Sequence, residues 1–210
     1  HRVDRRQRQM CIRDRVVHPA FEAKTVKEFL AYARANPGKL NYASPGNGSP
    51  HHLAMEMFKN RTKTFLTHIP YRGAAPALQD VMGGQVPCMF LDLAAGLPVI
   101  TSGKVRALAI GSAKRVAALP DVPTLAEAGV PNTEVFAFQG ILAPAGLPAA
   151  ITTRLNTDLN KALLNPAVVK RMNDFGMEAL PGTPEQFRAM ARAESKRWGE
   201  IIKAAGVKLD

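Results

Sequence analysis

The 210 residues carry 28 lysines and arginines against 17 acidic residues, a formal net charge of +11. With 46% hydrophobic and 21% charged residues the composition is that of a folded domain, which excludes a disordered or fibrous chain. No apolar run approaches the ~20 residues of a membrane-spanning helix, and the basic charge is scattered rather than interleaved with aromatics, so nucleic acid is excluded as a partner.

Residues 1–15 hold Arg2, Arg5, Arg6, Arg8, Arg13 and Arg15 against Asp4 and Asp14, with neither helical nor strand period. They have no apolar core of a signal peptide and are expected to be a non-native leader. Thr25 and Glu28 then form a capping box for a helix carrying Val26, Phe29, Leu30 and Ala33, stopped by Asn36-Pro37-Gly38. Leu40 to Ala43 is a short strand and Ser44 to Ser49 a glycine-rich turn. Pro50 suits the first position of a helix with Leu53, Ala54, Met57 and Phe58 on its apolar face. The following alternation is regular: strand Phe65–Tyr71, helix Ala74–Met82, strand Val86–Leu91, helix Leu93–Ser102 and strand Val105–Ile110. Such βαβ alternation with short connections specifies an α/β sheet. Cys88 lies in the apolar run Val86–Leu91 and reads as a core residue, as do Met55, Met57, Met82 and Met89.

Beyond Ile110 the pattern changes. Leu119–Pro123 is extended, and Thr124 with Glu127 predicts a short helix ending at Gly129. Val135–Ala143 reads as a strand. Ile151, Leu155, Leu159 and Leu163 mark a long helix, Pro166–Phe175 another ended by Gly176, and Thr183-Pro184 starts the last, which runs to Gly206. These helices present apolar faces that need a further sheet to pack on, which this chain does not obviously supply.

The chemistry concentrates around the turn after Tyr42. Unpaired N–H groups at a helix N-terminus attract anions, Gly46 and Gly48 allow close backbone approach, and Ser44, Asn47 and Ser49 add polar side chains. Local sequence is equally compatible with a tight turn capped by Ser49. Neither GK[ST] nor a third glycine is present, which argues against a nucleotide. His51 and His52 are adjacent, so their side chains diverge by ~100° on a helix and do not share a metal; His52 is instead a donor candidate toward a ligand. Arg72 and Gly73 lie where a strand turns into a helix, and Arg72 reads either as a carboxylate partner or as half of a surface ion pair. Asp92, at the next strand end, reads as a helix cap or as an acceptor for a ligand hydroxyl or ammonium. Ser49, His52 and Asp92 also allow a serine hydrolase acting on a small ester or amide, although no G-x-S-x-G elbow is present.

The string from Asn36 to Ala54, NPGKLNYASPGNGSPHHLA, resembles the extracytoplasmic receptors of tripartite tricarboxylate transporters, the Bug family. So do Pro70–Val86, Gly103–Ser112, Leu119–Pro131, Leu142–Pro148 and the ending Trp198–Asp210, in the family's order. The resemblance covers residues 16–210. It implies an α/β fold of the type II periplasmic-binding-protein kind, two α/β domains with a ligand cleft between them. Residues 16–110 would be the second domain with crossing strands at Val16-Val17 and Val105–Ile110, and residues 111–210 the C-terminal part of the first. The signal peptide and first strand that the resemblance places before Val16 are not in this chain, so the first domain is expected to be incomplete. It implies a periplasmic, monomeric receptor that captures a small carboxylate and delivers it to membrane permease subunits, without catalysis, cofactor or metal. Ser44, Gly46, Asn47, Gly48, Ser49 and His52 are the implied ligand-loop residues, with Arg72, Gly73 and Asp92 beside them.

Overall fold

A computed structural model describes residues 3–5, 9–174 and 177–207. The expected helix end at Phe175-Gly176, parts of the leader and the last three residues lie outside the described residues. In chain order the elements are β1 (Val3–Arg5), β2 (Gln9–Val17), α1 (Val26–Ala35), β3 (Asn41–Ser44), α2 (Pro50–Thr62), β4 (Thr67–Pro70), α3 (Ala74–Met82) and β5 (Cys88–Asp92). They continue as α4 (Leu93–Thr101), β6 (Arg106–Ile110), β7 (Phe136–Gln139), β8 (Leu142–Pro144), α5 (Ala149–Leu164), α6 (Pro166–Asp174), β9 (Met177–Ala179) and α7 (Pro184–Ala205). Two units result, one of residues 12–136 and 199–210, the other of residues 1–11 and 137–198.

The first of these units is built on a sheet of order β4-β3-β5-β2-β6. β3 runs parallel to both β4 and β5, whereas β2 is antiparallel to β5 and β6. Val16 and Val17 thus pair with β6, but the strand that carries them begins at Gln9, well inside the stretch that shows no strand period. Its pairing is specified by distant partners, which local alternation does not register.

Helices α2 and α3 pack against β3 and β5, and α4 against β5. In α1 the buried stripe is Val26, Phe29, Leu30 and Ala33. Its cap is the expected box with one shift: Glu28 N–H donates to Thr25 Oγ1, while Glu28 Oε2 accepts from Lys24 N–H rather than from Thr25. A cap of this kind is worth ~1 kcal/mol. Phe29, Tyr42, Met55, Phe58, Leu66 and Phe90 are fully buried, as is Cys88, whose thiol donates to Asn41 O. Ala43 and Met89 face a separate cluster with Ala77 and Val81 of α3.

Residues 111–135 stay with this compact unit. Hydrogen bonds explain the attachment: Ile110 N–H donates to Pro123 O, Leu125 N–H to Ile110 O and Val135 N–H to Gly111 O. The capping pair Thr124 and Glu127 forms both expected bonds, yet residues 125–129 make a turn, not a helix. Val130 N–H donates back to Leu125 O and Gly129 adopts φ +88°, closing the chain after one turn.

In the second unit β8 pairs with β1, and β9 pairs with Gln9–Cys11. The expected strand Val135–Ala143 is two strands interrupted at Gly140-Ile141. β9 is too short to display alternation in sequence. Asn156 and Asn160 of α5 both donate to Gly182 O, and Gly182 N–H donates to Asn160 Oδ1, clasping the lead-in to α7. Of the apolar row on α5 only Leu163 is buried, while Ile151 and Leu155 remain 48% and 47% exposed. Leu155 borders a groove of about 600 Å³ with Ile141, Leu147, Leu159 and Arg188. Among the described residues no helix is long and apolar enough to cross a membrane.

Candidate functional site at the carboxyl edge of the parallel strands

Three parallel strands end on the same edge of the sheet, and each feeds a helix: β3 into α2, β4 into α3 and β5 into α4. In an open α/β sheet this edge is where ligands sit, and helix N-termini supply unpaired N–H groups and a partial positive charge there. Every residue singled out in the sequence falls on this edge. Ser44 to Ser49 join β3 to α2, Arg72 and Gly73 join β4 to α3, and Asp92 ends β5.

The individual roles are more divided than the sequence suggests. Ser49 is the N-cap of α2, its Oγ accepting from His52 N–H at 3.3 Å. Gly48, at φ +68°, donates its N–H to His52 Nδ1 at 3.0 Å. Gly46, at φ +143°, donates to Ser44 Oγ at 3.1 Å, and Tyr71 O would lie 3.5 Å from a Cβ placed there. Gly73 N–H donates to Pro45 O at 3.1 Å, tying the β4 loop to the β3 loop. Asn47 and Arg72 are exposed, and among the described residues Arg72 forms no ion pair, leaving its guanidinium open to an incoming anion. Asp92 occupies the N-cap of α4 without a side-chain capping bond. Its Oδ2 lies 3.3 Å from His51 Nε2, although the alignment is not that of a hydrogen bond and both ring nitrogens of His51 are buried without such a partner.

Beneath the turn lies a feature that sequence reasoning missed. Tyr42 and His68 are register partners on β3 and β4, so their rings share one face. They stack at 4.9 Å, and the His52 ring stacks on His68 at 3.9 Å with an interplanar angle of 10°. His68 Nε2 is 2.6 Å from Ser44 Oγ. His52, Glu56 and Lys59 follow at i, i+4 and i+7 along α2. The Tyr42 hydroxyl and Lys59 Nζ both donate to Glu56 Oε1 at 2.6 Å. Burial, then the Glu56 contact, push the Tyr42 hydroxyl pKa up. Burial followed by the neighbouring His52 holds His68 down to about 4, and burial also lowers His52 against the opposing pull of Glu56. Both imidazoles are therefore neutral near pH 7. The signal was present as Tyr42 and Ser44 at strand spacing and His52, Glu56 and Lys59 at helix spacing, but only the β3–β4 register brings His68 to them.

The hydrolase alternative is corrected by these contacts. The Ser49 hydroxyl is engaged as a helix cap, the His52 ring is turned to Gly48, and Asp92 stands beside His51 rather than His52. A nucleophile, base and orienting acid in series are not assembled from these residues. Among the described residues no group of three or more His, Cys, Asp or Glu could hold a metal ion.

BugT of Bordetella pertussis is 35% identical over 194 residues, which are 92% of this chain and 60% of that protein. A Rhodopseudomonas palustris protein solved with adipate superposes with a TM-score of 0.86 at 34% identity, covering 98% of this chain and 68% of its own. MatC from the same species, solved with bound malate, gives 0.78 at 31% identity, covering 95% and 69%. This chain spans about 54–60% of the length of several curated relatives. Residues 11–207 match the family described as tripartite tricarboxylate transporter family receptor, and the chain belongs to that family.

Proposed function

We propose that this chain serves as a periplasmic solute receptor that captures a small carboxylate and delivers it to the membrane permease subunits of a tripartite tricarboxylate-type transporter, acting as a monomer and leaving the ligand chemically unchanged. The observation that carries this reading is the convergence of three helix N-termini, one of them 13 residues long, with the exposed Arg72 guanidinium on one sheet edge. Aligned peptide dipoles and a planar, permanently charged fork are what a carboxylate needs in order to exchange its water shell for protein donors. The adipate and malate found in two relatives support the ligand class. Asp92, negative and at the same edge, favours an acid that also carries a hydroxyl or ammonium group.

The test is calorimetric titration with a panel of mono-, di- and tricarboxylates, adipate and malate included, with each acid quantified afterwards. The expected result is saturable binding, a raised Tm and full recovery of the acid. Binding of none of them, or consumption of any, would overturn the proposal.

A further inference from the structure

We infer that Ser44, His52 and His68 are positioning residues that hold the glycine turn from beneath, and that the Gly46 and Gly48 amides point into this support rather than at the ligand. The inference rests on the receptor reading for its consequence but not for its geometry.

The Ser44 hydroxyl has one proton and two lone pairs, and the structure offers it three partners. It accepts from Gly46 N–H at 3.1 Å, lies 3.1 Å from Gly46 O and sits 2.6 Å from His68 Nε2. All three are satisfied together in one arrangement: the hydroxyl donates to Gly46 O and accepts from both Gly46 N–H and a protonated His68 Nε2. Ser44 is fully buried, so leaving any of these groups unpaired would be costly. His52 plays the matching part for the second glycine. Its Nδ1 accepts from Gly48 N–H, which requires that nitrogen to be unprotonated and the proton to sit on Nε2, 3.8 Å from Glu56 Oε1. The two imidazoles stack face to face at 3.9 Å, and Tyr42 packs beside the pair, 4.9 Å from His68 and 6.3 Å from His52.

The groups facing the two imidazoles are Glu56 and Lys59 from α2, Tyr42 from β3 and the Gly48 amide from the turn. Burial holds the rings neutral, and Glu56, which would favour their charged forms, is paired with Lys59 at 2.6 Å. The turn that a ligand meets is thus shaped by contacts on its inner side. Arg72 stands exposed on the outer side with the helix N-termini, and the conformation of Gly46 and Gly48 sets the shape of the turn beside them.

The experiment uses the ¹⁵N-labelled full chain and two readouts. First, hydrogen-exchange protection of the Gly46 and Gly48 amides and the ring ¹⁵N shifts of His52 and His68 are recorded at pH 7, without ligand. Ser44→Ala and His68→Leu should each lower Gly46 protection by about tenfold or more, with core amides such as Phe29 unchanged. His68→Gln, whose amide nitrogen can stand in for Nε2, should restore it. In the unmodified chain both rings should show the Nε2–H tautomer, a measurement that decides the matter even if a variant fails to fold. Unchanged glycine protection in Ser44→Ala and His68→Leu, or a His52 ring protonated at Nδ1, overturns the inference. Second, adipate and malate affinities are measured for the same chains. Loss in His68→Leu with recovery in His68→Gln supports positioning, whereas affinity unaffected by either change overturns it. If neither acid binds any of the chains, the receptor reading fails and the amide and ring readouts still decide the inference.

Discussion

Acidification from pH 7 to pH 5 should destabilise the 12–136 unit through His68, and replacing that residue by Gln should remove this share of the loss. In the folded chain burial and the adjacent His52 hold the His68 pKa down to about 4, against 6.5 for an unperturbed imidazole. The unfolded chain therefore takes up a proton on His68 before the folded chain does. Stability owed to the neutral ring is complete above the unfolded value and is lost as the pH falls toward the folded one. Integrating the linkage relation from pH 7 to pH 5 gives a loss of ~1–2 kcal/mol for this one group. His52, lowered chiefly by burial, acts with the same sign and is retained in His68→Gln, so the difference between the two chains reports His68 together with its coupling to His52. Native-state hydrogen exchange of the buried Tyr42, Met55 and Met89 amides is the appropriate assay, because it reads global opening of this unit separately from residues 137–198. Between the two pH values the unmodified chain should lose ~1–2 kcal/mol more than His68→Gln. Parallel pH profiles for the two chains would refute the reasoning, since they would mean that the ring titrates alike in both states.

Three further outcomes are expected. Tyr42→Phe removes a hydrogen bond of 2.6 Å from a fully buried hydroxyl to the Glu56 carboxylate, and urea denaturation should register a loss of ~1.5–3 kcal/mol. Gly48→Ala forces a Cβ into a backbone held at φ +68°; stability should fall by ~1–2 kcal/mol, with the change visible in the amide shifts of Asn47 and Ser49. Arg72→Ala alters an exposed side chain, so stability should stay within ~0.5 kcal/mol while calorimetry shows carboxylate affinity reduced about tenfold and less sensitive to salt.

The α/β character and the location of the candidate site were legible in the sequence because both are written in local chemistry. Alternating strand and helix periods, the Thr25–Glu28 box, the Ser49 cap and the two glycines of the turn each depend on residues within a few positions of one another. The same locality explains the errors. Thr124 and Glu127 formed their capping bonds, but Gly129 ended the segment after one turn, so a helix signal produced a turn. Pairing between distant strands left no local mark: the extension of β2 back to Gln9 and the existence of β9 depend on partners more than 160 residues away in sequence. The division of roles at the site belongs to the same class. Sequence placed Ser44, Gly46, Gly48 and His52 together, yet the direction in which each donor points follows from the parallel register that sets Tyr42 beside His68 and from the way α2 lays His52 over them. Hydrogen-bonding capacity is a property of the residue, but whether it is spent inside the protein or offered to a ligand is fixed by packing.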